Sequence, residues 1–588
     1  MKTAFGLFLM ILTVSFTGHA ATVTVSGGSG LQAAINSANP GDVVEITDSQ
    51  TYSEDVFINK PLTVRGADGQ RPTIVATNTS TRGHLGEIGQ LVQISQGGSW
   101  NADNQGLYIE SDNVTLSNLV ISNPAGLNNP ANAVDVPAAL TIVGDNATID
   151  NCEISASPNG GQDDCAVFVG EGDLTAFTGS PYAGQQPQTT NNLKIQNCQI
   201  TDGRRGIYVP DIGAMLSDPA VETGSSQVRL RAENALVSNT TIEVARRAYQ
   251  PIGSKNWTFQ DSSLKVRATN NQDAIRAQGG STTFINCFIG SPANRSINCQ
   301  ANVPAGGGLI ELAFDHCTIC GGGNNGEQNL IDDANLAFSH CIVSSTGPNP
   351  TAFTFQRRVS LMTSGISFDF LGPAPYADAG AFPGRETLPT SFTFQMDHCD
   401  VYNPAASPIP WRTAIMMNEL APEFSNAAPY SGTFYFSNHV ILTNNIITAD
   451  IGLMDGTQML PAVSGAFGTE PPFYSNQSSV VVLNNIFNSK NGDPDTKRVR
   501  LVSGNGYTVN GVDLPYAYTA GQLLGPDVAE QYTPNFLDRD PLYPAIGQCD
   551  DPAGWLPGDE TLRTAGTDGS PIGSQLEPVS NVLNWNLY

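Results

Sequence analysis

One phrase recurs about ten times along this chain: alternating apolar residues, a polar corner residue, a small or thiol residue, any residue, then Ile, Val, Leu or Phe. Instances are Leu116-Ser117-Asn118-Leu119-Val120-Ile121, Ile149-Asp150-Asn151-Cys152-Glu153-Ile154, Ile195-Gln196-Asn197-Cys198-Gln199-Ile200 and Phe314-Asp315-His316-Cys317-Thr318-Ile319. A chain built of such units buries each unit against its neighbours and needs no single globular core. Period-two alternation on both sides of an Asn or His means two short strands meeting at a bend. A third strand precedes the pair in the fuller coils, as where Leu107-Tyr108-Ile109 leads through Ser111-Asp112-Asn113 into Val114-Thr115-Leu116. Three strands per turn, repeated in register, predict an all-β triangular solenoid of parallel coils about 4.8 Å apart.

That spacing lets the corner Asn side chains stack into a hydrogen-bonded ladder. The residue after the corner points inward, which puts Cys152, Cys198, Cys287, Cys317, Cys341 and Cys399 in one buried column beside Leu119 and Thr240. They read as free packed thiols, since stacked parallel side chains seldom present a disulfide torsion. Bridges between neighbouring coils are the competing reading of a ten-cysteine exported chain. Cys165, Cys299, Cys320 and Cys549 lie off the column, and their pairing stays open.

Residues 1–20 combine Lys2, an apolar run from Ala4 to Phe16 and small residues before Ala21. This is the pattern of a secretory signal peptide, so a secreted, extracellular protein is expected. No later stretch reaches the roughly 18 apolar residues of a membrane span. The net charge of −27, with no basic stripe, argues against nucleic acid as a partner. Beyond the signal peptide, the solenoid is expected over 21–500 and a closing segment over 501–588, the whole acting as a monomer.

The repeat resembles the pectin-lyase-like superfamily of right-handed parallel β-helices over most of the chain. The opening is similar too: Leu31-Gln32-Ala33-Ala34-Ile35-Asn36-Ser37-Ala38 has the spacing of a short amphipathic helix. Such a helix would cap the open end of the solenoid, and Pro40-Gly41-Asp42 ends it. Asp540-Pro541-Leu542 and the stretch from Gly566 to Gly573 look like the closing segment of secreted members. The resemblance implies a right-handed three-sheet solenoid with long loop insertions, acting on polysaccharides.

Conspicuous polar pairs precede several first strands: Asp163-Asp164, Arg204-Arg205 (ahead of Tyr208), Arg246-Arg247, Gln272-Asp273 (ahead of Arg276) and Asn294-Arg295. At equivalent positions they would gather acids and arginines within a few coils. Arginine's planar fork suits carboxylates and sulfates, so an acidic polysaccharide is the natural ligand, although solvated turn residues making local ion pairs is the plainer reading of any one member. Asp163, Asp164, Arg204, Arg205, Arg246 and Arg247 are the candidate catalytic residues; Tyr208, Asp273, Arg276 and Arg295 are the candidate substrate-binding residues.

Gln162-Asp163-Asp164-Cys165 resembles the paired-aspartate motif of polygalacturonases, whose acids protonate the leaving oxygen and activate water. The preceding-coil Asn-Thr-Asp of that family is replaced by Asn123-Pro124-Ala125-Gly126, and its His-Gly and Arg-Ile-Lys motifs are missing. A lyase would instead use Arg or Lys as base with Ca²⁺ as stabiliser, and Asp163, Asp164 and Asp273 could hold such an ion. The Asp-Phe-Ile-Phe-Gly strand of pectin methylesterases is missing. His316, His340 and His398 share the corner position and read as ladder residues rather than metal ligands, because the adjacent Cys points inward. Two aromatic- and Pro-rich stretches, 347–391 and 402–432, interrupt the repeat as long loops. A carbohydrate-active enzyme, an adhesive or sugar-binding β-helix and a purely structural exoprotein all remain open.

Overall fold

The computed structural model describes residues 20–77, 105–124, 138–158, 164–170, 189–209, 232–267, 273–277, 279–291, 295–299, 310–321, 327–332, 334–345, 351–356, 390–402, 415–417 and 434–449, with short segments at 454–455, 474–476, 479–483, 485–489, 499–500, 507–509, 512–514, 536–537 and 572–574. A representative coil runs Gln105–Ile109 (sheet I), Thr115–Ser117 (sheet II) and Val120–Ser122 (sheet III). Each strand pairs in parallel with its equivalent one turn on, in Ala138–Ile142, Thr148–Asp150 and Glu153–Ser155. Among the described residues this produces sheets of 13, 15 and 14 strands for I, II and III. The architecture is the right-handed parallel β-helix that the recurring phrase implies.

The corners explain the phrase. Asn118, Asn151, Asn197, Asn239 and Asn286 at the II–III corner all have φ between 47° and 57°, left-handed backbone that Asn, Asp and His tolerate better than other side chains. Their amides form the ladder: Asn151 Nδ2 donates to Asn118 Oδ1 at 2.8 Å and Asn239 Nδ2 to Asn197 Oδ1 at 2.7 Å. A second ladder runs up the I–II corner through Asn113, Asn146 and Asn192, with Nδ2-to-Oδ1 bonds of 3.2 and 3.0 Å.

The six column cysteines are free and buried. Their recurrence has a cause beyond size. The backbone N–H that follows the corner reaches across to the side chain of the equivalent residue one coil on: Cys198 N to Thr240 Oγ1 at 3.4 Å, Thr240 N to Ser262 Oγ at 3.2 Å, Cys317 N to Cys341 Sγ at 3.4 Å, Cys399 N to Asn445 Oδ1 at 2.8 Å. Past the first coils, where Leu119 holds this position, the column therefore favours a compact acceptor, and Cys, Thr, Ser and Asn all serve. Burial pushes the Cys317 and Cys399 thiols well above their ordinary pKa, so they stay protonated and donate to the carbonyls two residues back. Off the column, Cys165 and Cys299 remain thiols while Cys320 is disulfide-bonded; Cys549 lies outside the described residues.

Beside this column the interior is stacked aromatics: the Phe284 ring lies 4.9 Å from Phe314, and Phe314 lies 4.7 Å from Phe338, each pair within 6° of parallel. The predicted helix spans Leu31–Ser37 and buries Leu31 and Ile35 over the first coil. Its N-terminal N–H groups are capped from a distance, because the Glu54 carboxylate accepts from Gly30 N at 2.6 Å, Leu31 N at 3.1 Å and Gln32 N at 2.8 Å.

The stretches 347–391 and 402–432 are not wholly loop. Thr351–Gln356 and Ile415–Met417 are the sheet I strands of their coils, paired in parallel with each other. Pro-rich surroundings hide them in the sequence, but each coil must still contribute a strand to sheet I for its neighbours to stay paired. Near the other end, Ile572 is fully buried, and Gly573 N donates to Asn444 O at 3.0 Å. The signal peptide, bar Ala20, and Asp540-Pro541-Leu542 lie outside the described residues.

Candidate functional site

The predicted residues converge on sheet I. Cys165–Val169, Arg205–Val209 and Arg247–Pro251 are consecutive strands in which Cys165 pairs with Arg205 and Arg205 with Arg247. Tyr249 pairs with Ile275 and Ile275 with Ile297, so Asp273, Arg276 and Arg295 belong to the next two coils. At about 4.8 Å per strand, the backbones at Asp164 and Arg246 are about 10 Å apart, within reach of one extended ligand. Asp163 lies outside the described residues.

Alternation along these strands sends Ile207, Val209 and Tyr249 into the core, while Phe168 and Tyr208 join a separate apolar cluster on the opposite face. In register, that outer face carries Tyr108, Thr141, Phe168, Tyr208 and Gln250, followed by Arg276 and Asn298. The row changes from aromatic to polar along the solenoid. Apart from the half-buried Arg276 it is buried as well, Tyr208 being only 1% exposed with its ring edge-on to Phe168 at 5.6 Å.

Asp164 sits just ahead of its strand, 1% exposed, and its carboxylate staples two coils: Oδ2 accepts from Ser157 N at 3.1 Å and Oδ1 from Arg204 N at 2.8 Å. Burial raises its pKa to about 6, against the pull of those N–H donors and of the Arg205 charge. The turn delivering Arg204 is fixed by two left-handed residues, Asp202 at φ 62° and Gly203 at φ 80°. A Cβ at Gly203 would stand 2.7 Å from that of Ala156.

The two arginine pairs divide by exposure. Arg205 is fully buried; its Nε donates to Gln250 Oε1 at 2.8 Å and its guanidinium lies 4.8 Å from the centre of the Tyr208 ring. Arg247 Nη1 donates to the same Gln250 oxygen at 2.9 Å, so one amide carbonyl spans two buried cations on adjacent coils. Arg204 and Arg246, at the corner just before, are half-buried, and their backbones are joined by Arg246 N to Arg204 O at 3.2 Å. Arg295 is half-buried and accepts Ala274 N on its carbonyl at 3.2 Å, while Arg276 Nη1 lies 3.6 Å from Asp273 Oδ2 with its side chain 26% exposed.

Asp273 is 3% exposed, and Asn298 Nδ2 donates to its Oδ2 at 2.9 Å. Asp273 Oδ1 and Asn298 Oδ1 are buried oxygens that receive no hydrogen bond. Ca²⁺ calls for about six to eight oxygens. Two oxygens beside the Arg276 guanidinium do not fit it, and both Asp164 oxygens are already engaged.

Gln250 was not among the sequence candidates; its signal is its register with Tyr208, which only the strand pairing reveals. Also unforeseen is an open groove of about 360 Å³ on the outer face of sheet II, floored by Thr283, Ala313 and Ala337 with Glu311, Asn335 and Gln395 around it. It shares none of the Asp/Arg residues.

No family model matches the sequence. A curated relative, Endopolygalacturonase B of Emericella nidulans, is 26% identical over 126 residues, covering 19% of this chain and 32% of that protein, so the chain spans about a third of the curated relative it matches. Among solved structures, the alginate lyase of Paenibacillus sp. str. FPU-7 is similar at 14% identity and a TM-score of 0.33, over 57% of this chain and 95% of that one. The polygalacturonase of Erwinia carotovora ssp. carotovora is similar at 13% and 0.28, over 59% and 94%. Pectate lyase Pel9A is similar at 10% and 0.27, over 93% and 90%.

Proposed function

We propose that this chain is an exported carbohydrate-active protein that binds an acidic polysaccharide along the arginine corner of sheet I and cleaves it there by elimination or hydrolysis. The observation that carries this reading is that the half-exposed Arg204 and Arg246 hold equivalent positions on consecutive sheet I coils, with the half-exposed Arg295 two coils further on and one residue later in register, in a chain of net charge −27. Cations repeated at strand spacing along a rigid wall suit a polymer that presents repeated carboxylates or sulfates. Arg204, Arg246, Arg276 and Arg295 would clamp those anions. Arg205 and Arg247 hold the wall behind them through Gln250, and Asp164 fixes the Arg204 backbone. Asp164, with a pKa of about 6, is the described acid best poised to give up a proton near neutrality, and Asp163 is its partner by analogy with paired-carboxylate enzymes.

A binding-only surface is the second reading, and one observation favours it: both Asp164 oxygens are occupied by backbone N–H groups. The test is incubation with polygalacturonate, alginate and a sulfated glycan, with and without chelator. Ultraviolet absorbance of unsaturated ends signals elimination, and reducing ends without it signal hydrolysis. Binding without either product supports the adhesive reading; neither binding nor product on any acidic glycan refutes the proposal.

A further inference from the structure

At the II–III corner, three consecutive coils replace the ladder amide with imidazole: His316, His340 and His398, with φ of 53°, 53° and 52°. The rings stack, His316 on His340 at 4.7 Å and His340 on His398 at 5.0 Å, within 8° of parallel. Stacked imidazoles forgo the direct amide-to-amide bonds that Asn151 and Asn239 make lower in the same column. What they gain is a set of nitrogen donors facing a carboxylate. Asp315 Oδ1 lies 2.9 Å from His316 Nδ1 and 3.9 Å from His340 Nδ1, and all three donor atoms fall within 4.8 Å of one another.

We propose that Asp315, His316 and His340 form a divalent transition-metal site that links two successive coils. Ligands about 2.0–2.1 Å from a tetrahedral ion stand about 3.4 Å apart, so the present 2.9 and 3.9 Å separations straddle the required value. Closing the site asks the third pair, His316 and His340, now within 4.8 Å, to approach by up to about 1.4 Å through side chains exposed by 44% (Asp315), 47% (His316) and 26% (His340), and it asks His340 Nδ1 to release the Ser339 hydroxyl now 2.8 Å away. Water completes the coordination. Two imidazole nitrogens and one carboxylate select Zn²⁺, Ni²⁺ or Cu²⁺ over Ca²⁺ or Mg²⁺, which prefer all-oxygen sites. The inward-pointing Cys317 and Cys341 take no part. The site ends at His340, because His398 is only 3% exposed and Asp397, beside it, already accepts from Thr443 Oγ1 at 2.6 Å and Asn444 Nδ2 at 3.0 Å.

The natural control is the residue that fills this corner elsewhere. Asn286 and Asn444 occupy it with the same backbone, so His316→Asn and His340→Asn keep the fold while removing a ligand. Chelator-stripped full-length protein is titrated with Zn²⁺ by calorimetry, and its Co²⁺ form is examined for the visible bands of a tetrahedral site. One Zn²⁺ per chain is expected, weakened about tenfold or more by either substitution, at least the cost of losing an outer-shell partner, and unchanged by His398→Asn. No binding of Zn²⁺, Ni²⁺ or Cu²⁺ up to about millimolar, where site affinity passes out of the useful range, overturns the proposal. So does equal binding by a circular-dichroism-verified His316→Asn/His340→Asn variant.

Discussion

Cys341 tests whether the inner column is selected for size or for its acceptor. Its side chain is fully buried; Sγ accepts Cys317 N at 3.4 Å and donates to Ser339 O at 3.2 Å. Valine and threonine have nearly the same shape, and Thr240 already performs both tasks in this column, accepting Cys198 N at 3.4 Å and donating to Ser238 O at 2.9 Å. Cys341→Val matches the threonine variant in size but orphans the buried Cys317 amide, which costs about 1–3 kcal/mol, toward the low end because sulfur is a weak acceptor. Cys341→Thr keeps the amide satisfied and adds a donor for the carbonyl, so it is expected to be more stable than the valine variant by about 1–2 kcal/mol. If the column were merely apolar packing, the order would reverse, since burying a hydroxyl in place of a methyl is unfavourable.

A solenoid can unfold in parts, so the global urea midpoint is paired with a local measurement, hydrogen exchange at the Cys317 amide. Faster exchange at Cys317 in the valine variant than in the threonine variant is expected, with other coils unaffected. A valine variant that equals or exceeds threonine in both measurements refutes the acceptor argument.

Gln250→Leu removes the oxygen shared by two buried guanidinium groups and should cost about 3–6 kcal/mol, from two charge-assisted bonds of about 1.5–3 kcal/mol each, read as a fall in the urea midpoint; an unchanged midpoint would mean the two cations are held by other means. Asp164 gives a pH signature: its folded pKa of about 6 lies above the usual 3.8, so the folded state binds more protons between those values and stability falls as pH rises from about 4 to about 6. The fall is at most about 3 kcal/mol, and midpoints measured across that window should lose this slope in Asp164→Asn. Arg204→Ala and Arg246→Ala should each weaken binding of a uronate polymer by about 3- to 10-fold and reduce its salt dependence, without changing the unfolding free energy by more than about 0.5 kcal/mol. Affinity unchanged in the double variant would place the polymer elsewhere, with the sheet II groove as the next surface to map.

The corner phrase made the solenoid legible because it encodes a backbone requirement. A left-handed residue such as Asn151 or His316 must recur at each bend, and alternation on either side decides which residues face inward. The reason for cysteine was not legible, because Cys, Thr, Ser and Asn look like a relaxed small-residue position until the amide of one coil is seen to reach the next. Sequence offset from the strand put Arg204 and Arg205 in one class. Structure separates them, since one residue of offset at a corner turns a fully buried guanidinium under Gln250 into a half-exposed one. Gln250 itself has no motif; its meaning is its pairing with Tyr208 across a gap of 42 residues. The same holds for the imidazole stack, where reasoning from the following cysteine favoured ladder residues and did not weigh the preceding Asp315, whose carboxylate lies beside two of the rings. Local patterning thus determines which way each side chain points. The chemistry of this molecule lies in what one coil sets against the next, at separations of 22 to 58 residues that vary with the connection between coils. A site on a solenoid is therefore read from aligned coils, and the alignment here, of Asp164 with Arg204 and Arg246, is what the glycan assays and the arginine substitutions put to the test.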